Sequence, residues 1–483
     1  MDVRKAVVVA AGVVACAALL RAGGASRQGG PVCPASPVPT VSSAMPADVC
    51  IPDGFTDIAV DYFDDYSWRA FIALVWPAAA GHRGEARSTT GLSASGPRVF
   101  DTYKALWEIY HGDGSAPEAA YDRYDTAAHN PCSVAQEFGD ITVGSASGLD
   151  DIGQAGIGML DPPVVAQNGR YVRTVTFFNQ VAFDHIVRNR FYLRSALPQI
   201  PTPRPERPVI QFPTGSIAVK TAWIDLSGLP SVLAKRLYTR TAMVKHATGG
   251  GCSKATMGLI GLHIAQKTPS RPQWIWSSFE QKEVVPPKWA DWPGAYFMHD
   301  GTDTPMPERS PLSLSPVAPE PVRPFNVVRS SDAPILTSTE LTSHAYQRLL
   351  AGTPWEYYRL VVTQWPRLEG NQATPVPATR DGSVPNTFPG TGAFSAFANL
   401  TMETFDQKRI SRSCMACHNS TRTKTDFLWA LNDHAFPADV PGFLFKNEPL
   451  RQLQKLLSED RPVLKAALPK HNPQKLKIDK QPQ

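Results

Sequence analysis

Charge is scarce in this chain: Asp, Glu, Lys and Arg together make up 19% of 483 residues, with a formal net charge of +5. That is mild for this length and gives no case for nucleic acid as a partner, which would need strongly clustered Lys and Arg. Beyond the N-terminus no apolar run reaches the roughly 20 residues that cross a bilayer. Nucleotide-type loops are missing too, because Gly249-Gly250-Gly251 is not followed by Lys and Ser/Thr. A G-x-S-x-G elbow and an H-E-x-x-H helix are absent, which removes the simplest hydrolase and zinc-protease readings. No internal repeat is visible. Cysteine is limited to seven residues, and their positions carry most of the information.

Cys414-Met415-Ala416-Cys417-His418 is a C-x-x-C-H pentapeptide, the attachment signature of c-type haem. Two thiols three positions apart can each add to one vinyl group of a single porphyrin. The imidazole one residue later can then ligate the iron. A structural zinc site would want a second Cys/His pair at similar spacing, and none is present. The expected cofactor is one covalent haem c, held by Cys414 and Cys417, with His418 as proximal ligand.

The N-terminus reads as an export signal over residues 1–25. Arg4 and Lys5 precede an apolar run from Ala6 to Leu20, and small residues Ala22-Gly23-Gly24-Ala25 follow. Val13-Val14-Ala15-Cys16 offers an alternative, a lipid anchor at Cys16, which would be the only membrane attachment. Setting aside Cys16 and the haem pair leaves Cys33, Cys50, Cys132 and Cys252. In an oxidising compartment these favour two disulfides, and three pairings are open. Cys33–Cys50 would close a Pro-rich loop, leaving Cys132–Cys252. The expected location is the periplasm or beyond.

The chain is rich in proline, 45 residues, and punctuated accordingly. Residues 26–52 read as an extended Pro-rich segment. Residues 53–368 read as an α+β domain built on an antiparallel sheet, with a Pro-rich excursion at 304–324. Within it, Asp61 to Trp76, Tyr103 to Tyr110 and Tyr171 to Tyr192 carry helical spacing. Ser216 to Leu226, Arg236 to Val244, Ala255 to Gln266, Pro272 to Glu280 and Tyr357 to Trp365 read as strands. Residues 369–393 form a linker. From 394 to 483 there is room for a small helical unit: Phe394 to Ser413 leading into Cys414, a turn or two at Asp426 to Leu431, and Leu450 to Leu468 at the end. A helix running into C-x-x-C-H and a closing helix resemble the cytochrome c fold. The preceding region resembles large exported bacterial proteins that end in a single haem motif. The resemblance implies a sheet-rich α+β domain followed by an all-α cytochrome c-like haem module. It also implies haem attachment outside the cytoplasm.

One departure from that family matters. Small cytochromes c take a second axial ligand from a downstream methionine, and none follows Met415 here. The sixth position would fall to His434 or His471, to an upstream residue such as His263, Met298, His299 or His344, or to water; Met402 leads into the proximal side. Two strong ligands would suit electron transfer to a redox partner protein, for which the lysine-rich tail (Lys465 to Lys480) offers a docking patch. An open site would suit a peroxidase-type oxidoreductase acting on a small molecule, with His263, Arg271 and Glu280 beside Trp274 and Trp276 as available groups. A haem sensor or binding protein is the third expectation.

Overall fold

The computed structural model describes residues 33–52, 60–144, 151–153, 163–197, 210–286, 296–313, 316–365, 398–407, 414–418, 421 and 425–437. The export signal with Cys16, the linker, the Leu450 to Leu468 helix, His471 and the lysine-rich tail lie outside the described residues. No helix among the described residues is long and apolar enough to cross a membrane.

The helices are α1 (Val60–Leu74), α2 (Gln180–Arg188), α3 (Ser231–Ala234), α4 (Thr337–Leu349), α5 (Cys414–His418) and α6 (Trp429–His434). The strands are β1 (Lys104–Ala105), β2 (Ile141–Val143), β3 (Arg173–Phe178), β4 (Ile217–Asp225), β5 (Thr239–Lys245), β6 (Cys252–Gln266), β7 (Ile275–Gln281) and β8 (Tyr358–Gln364). The described strands form one eight-stranded sheet, so the architecture is α+β. Its pairings are antiparallel except β2 with β5, which run parallel. The long β6 organises it. One edge of β6 carries β4; on the other, Cys252–Gly258 carries β5 and Gly261–Gln266 carries β7, which in turn carries β8.

Register divides the sheet into two chemically distinct faces, because directly opposed residues share a face. On one, Val219, Ile264, Ser277 and Thr363 stand in a row. The α1 helix buries this face: Ser67 Oγ lies 2.7 Å from Ser277 Oγ and 2.8 Å from Thr363 Oγ1. Trp68 and Phe71 of α1 join Leu262, Ile264, Phe279 and Leu360 in the largest apolar cluster. Helix α4 covers α1 in turn, with Tyr346 stacked on Trp68 and donating to Asp65 at 2.6 Å. On the opposite face the row one residue away reads Lys220, His263, Ser278 and Val362, flanked by Ala218, Ala265, Trp276 and Gln364. Asn399, Glu403, Cys414 and His418 pack there.

Three local expectations are corrected. Tyr171 to Tyr192 is a strand followed by a helix. The run Thr174-Val175-Thr176 favours strand, and Asn179 caps α2 by accepting from the backbone of Ala182 at 3.1 Å. Around Tyr103 to Tyr110 the chain makes a two-residue strand and 3-10 turns, where Glu108 forms buried ion pairs with both Arg83 and Lys104. The described part of Phe394 to Ser413, residues 398–407, is turns without helix. Asn399 explains it. Its side chain accepts from the backbone and hydroxyl of Thr401 and donates to Ser278 Oγ and Phe279 O, offering the backbone an alternative to a helical ladder.

Two disulfides are present, Cys33–Cys50 and Cys132–Cys252.

Candidate functional site

Cys414 and Cys417 stand one helical turn apart on α5, and neither is in a disulfide. Half-buried Cys414 packs on Val361 and Val362 of β8 and on the cluster around Trp276. Burial lifts its thiol well above the usual range, with the nearby Glu403 carboxylate adding to the effect. His418 ends the helix. Its Nδ1–H donates to the carbonyl oxygen of Phe427 at 2.6 Å. That bond fixes the proton on Nδ1 and leaves Nε2 the unprotonated nitrogen, the usual arrangement of a metal-ligating histidine. Burial depresses the basicity of the ring to about 4, with Lys220 contributing and the Phe427 bond opposing. The imidazole is therefore neutral at physiological pH, the form that binds metal.

The loop after α5 is held from several directions. Trp274 Nε1 donates to Asp426 O at 2.9 Å, and the Phe212 backbone donates to Asp426 Oδ2 at 2.7 Å. Lys267 forms a buried ion pair with the same carboxylate. Phe427, Leu428, Leu431 and Ala435 enter the apolar cluster of Phe178, Phe183, Trp274 and Trp276. The Phe427 carbonyl that orients His418 thus rests on a packed support.

Trp276 and His263, both on the same sheet face, complete the surroundings. The Trp276 ring lies against His418, with centroids 4.2 Å apart. His263 Nε2 lies 3.5 Å from Glu403 Oε2, and burial pushes Glu403 up to about 7. Burial, Lys220 and His418 together keep His263 neutral. Trp276 Nε1 and His263 Nε2 are buried and make no hydrogen bond. Orphaned buried polar atoms beside a neutral imidazole and two thiols fit a covalently held porphyrin, whose polar groups would answer them.

The other sequence candidates lie elsewhere. His434 is the last residue of α6, with its ring against Tyr110 at 5.9 Å. Met298 and Met402 are fully buried in an apolar cluster with Leu400. His299 Nδ1 accepts from Gly301, and His344 is exposed on α4. Arg271 sits over the Phe63 ring, and Glu280 is bound by Arg329 and Arg359. Trp274 precedes β7 in a left-handed backbone conformation, so it does not alternate with Trp276 along a strand. Glu403, Lys220 and the Phe427 carbonyl were missed from sequence. Register and turn geometry bring them together, and neither shows in residue type.

No protein-family model, no curated protein and no solved structure matches the chain.

Proposed function

We propose that this chain is an exported monohaem c-type cytochrome that carries electrons. Cys414 and Cys417 would hold the haem, His418 Nε2 would be its proximal ligand, and residues 394–483 would form a cytochrome c-like module docked on the sheet. The observation that carries this reading is the 2.6 Å bond from His418 Nδ1 to Phe427 O, made from a helix that also bears both thiols. When bound, haem supplies one-electron redox chemistry at iron. The chain's own part is to hold the imidazole neutral and oriented, to exclude water with Trp276, Val361 and Val362, and to offer a surface to a redox partner protein.

The test is expression with export and haem maturation, followed by acid-acetone extraction. Haem should stay on the wild type and be extracted from a Cys414→Ala/Cys417→Ala variant. Haem retained by that variant would overturn the assignment. A second reading is favoured by one observation, the His263–Glu403 pair on the same sheet face. A neutral base and a carboxylate titrating near 7 would suit a haem oxidoreductase of peroxidase type. A low-spin spectrum indifferent to carbon monoxide and cyanide supports electron transfer, and a spectrum that shifts with them supports the oxidoreductase.

A further inference from the structure

Well away in sequence from the C-x-x-C-H motif, the loop between β1 and β2 brings together His111, Asp113, Ser115, Asp125 and His129. The two imidazoles stack with centroids 3.6 Å apart. Asp125 spans one edge of the pair: Oδ1 lies 2.7 Å from His129 Nδ1 and Oδ2 lies 3.0 Å from His111 Nε2. On the other edge, His111 Nδ1 and His129 Nε2 lie 2.8 and 3.2 Å from one atom, Ser115 Oγ. That hydroxyl has a single proton, and it donates to Asp113 Oδ1 at 2.7 Å. Both inner ring nitrogens therefore turn toward an oxygen that has no proton left for them, with a carboxylate beside it.

We propose that His111 Nδ1, His129 Nε2 and the Asp113 carboxylate form a site for a divalent transition-metal cation of the zinc class, with Asp125 orienting both rings from behind. The candidate ligand atoms lie within 4.8 Å of one another. Two ligands each about 2.1 Å from a tetrahedral ion would be roughly 3.4 Å apart, so closure needs only small side-chain movement. His129 Nε2 and Asp113 Oδ2 are already 3.9 Å apart. Two imidazoles and a carboxylate suit zinc, cobalt or nickel over calcium or magnesium, which prefer oxygen. A carboxylate on the outer nitrogen of a ligating histidine is the standard support for such a metal. His111 is buried, with its Nε2 toward the Asp125 carboxylate. The His129 side chain is 24% exposed and that of Asp113 is 65% exposed, so an ion has a path in. Gly114, at φ +74°, turns Asp113 and Ser115 toward the rings and leaves no room for a Cβ against Phe436.

The test uses the full exported chain, stripped with EDTA and desalted, then titrated with Zn²⁺ by calorimetry. Bound zinc is counted after gel filtration. One saturable zinc per chain is expected. His129→Ala should abolish it and Asp125→Asn should weaken it roughly 10- to 100-fold. Asp113→Ala, at an exposed loop position, serves as the variant least able to disturb folding, and it too should lose the site. Absence of saturable binding in the wild type, or binding undiminished in both His129→Ala and Asp113→Ala, would overturn the proposal.

Discussion

The indole of Trp276 packs against the imidazole of His418, centroids 4.2 Å apart and planes at 40°. Trp276 is 6% exposed and lies on the sheet face opposite α1. It is therefore the point where the sheet sets the position of the histidine. Trp276→Ala should destabilise the protein by about 3–5 kcal/mol in urea unfolding and reduce covalent haem per chain. Trp276→Phe, which keeps a ring face against His418, should retain most of the haem. Equal haem content in wild type and Trp276→Ala would show that His418 is held by Phe427 alone.

His263 shares this face, and the charge of His418 bears on its ionisation. His263→Ala should turn the iron high-spin and admit carbon monoxide, read from the Soret and visible bands. A spectrum unchanged from wild type would remove His263 from the axial position.

Asp64 of α1 is fully buried, and burial raises its carboxyl to about 7 although Thr339 and Thr363 donate to it at 2.6 and 2.7 Å. The folded state therefore holds this proton more tightly than the unfolded chain does. The associated stability is complete below about pH 4 and is lost as pH rises through 7. Up to a few kcal/mol is involved. Asp64→Asn keeps an acceptor for the hydroxyls and removes the titration. Unfolding free energies measured from pH 4.5 to 8 should fall less steeply in Asp64→Asn than in wild type; parallel curves would refute the assignment.

How far the sequence foretold this site depends on which physical link is asked for. Of three open pairings, loop closure favoured Cys33–Cys50 and with it Cys132–Cys252, the two bonds that are present. The strands of the central sheet show in β-branched runs such as those of β4 and β6. Neighbours across strands do not show. Lys220, His263 and Ser278 form a row only because the register of β4, β6 and β7 aligns them. Nothing in spacing marks Phe427 as an acceptor, since the acceptor is backbone. The pairing of Asp125 with His129 and the approach of His111 to both went unread in the sequence, because they depend on a loop whose turns are set by Gly114 and Asn130. The apolar residues of Phe394 to Ser413 suggested a helix, yet Asn399 competes locally with the ladder and wins over its described part.

Cys132 and Cys252 are 120 residues apart in sequence. Cys252 begins β6, opposite Lys245. Cys132 follows Asn130, which donates to Thr142 at 2.9 Å beside β5. The bond therefore ties the loop bearing His129 to the β5–β6 hairpin. A Cys132→Ser/Cys252→Ser variant should lose about 2–5 kcal/mol by chemical denaturation. Dithiothreitol, which also reduces Cys33–Cys50, should lower the wild-type midpoint by more than it lowers that of the variant. Similar midpoints for oxidised wild type and variant would mean that the loop is held by its hydrogen bonds alone.

Glu280 of β7 is fully buried, and burial alone would raise its carboxyl. The guanidinium groups of Arg329 and Arg359, at 2.6 and 2.8 Å, outweigh that and hold it below the usual carboxylate range. Its other oxygen accepts from the Leu400 backbone at 3.2 Å, and Arg329 also donates to Ala398 O at 3.1 Å. The triad is thus the electrostatic anchor of the turn that leads toward Cys414. Its sign is opposite to that of Asp64: the stability it provides is present above the unfolded carboxyl value and is lost as pH falls through the folded one. Glu280→Gln leaves two partly buried cations without a counter-charge and should cost about 3 kcal/mol at pH 7. Adding Arg359→Gln removes one of those cations, so the double variant should recover part of the loss. A double variant less stable by the sum of the two single losses would show that Glu280 and Arg359 act independently, and the anchor would then rest on the Asn399 bonds to β7.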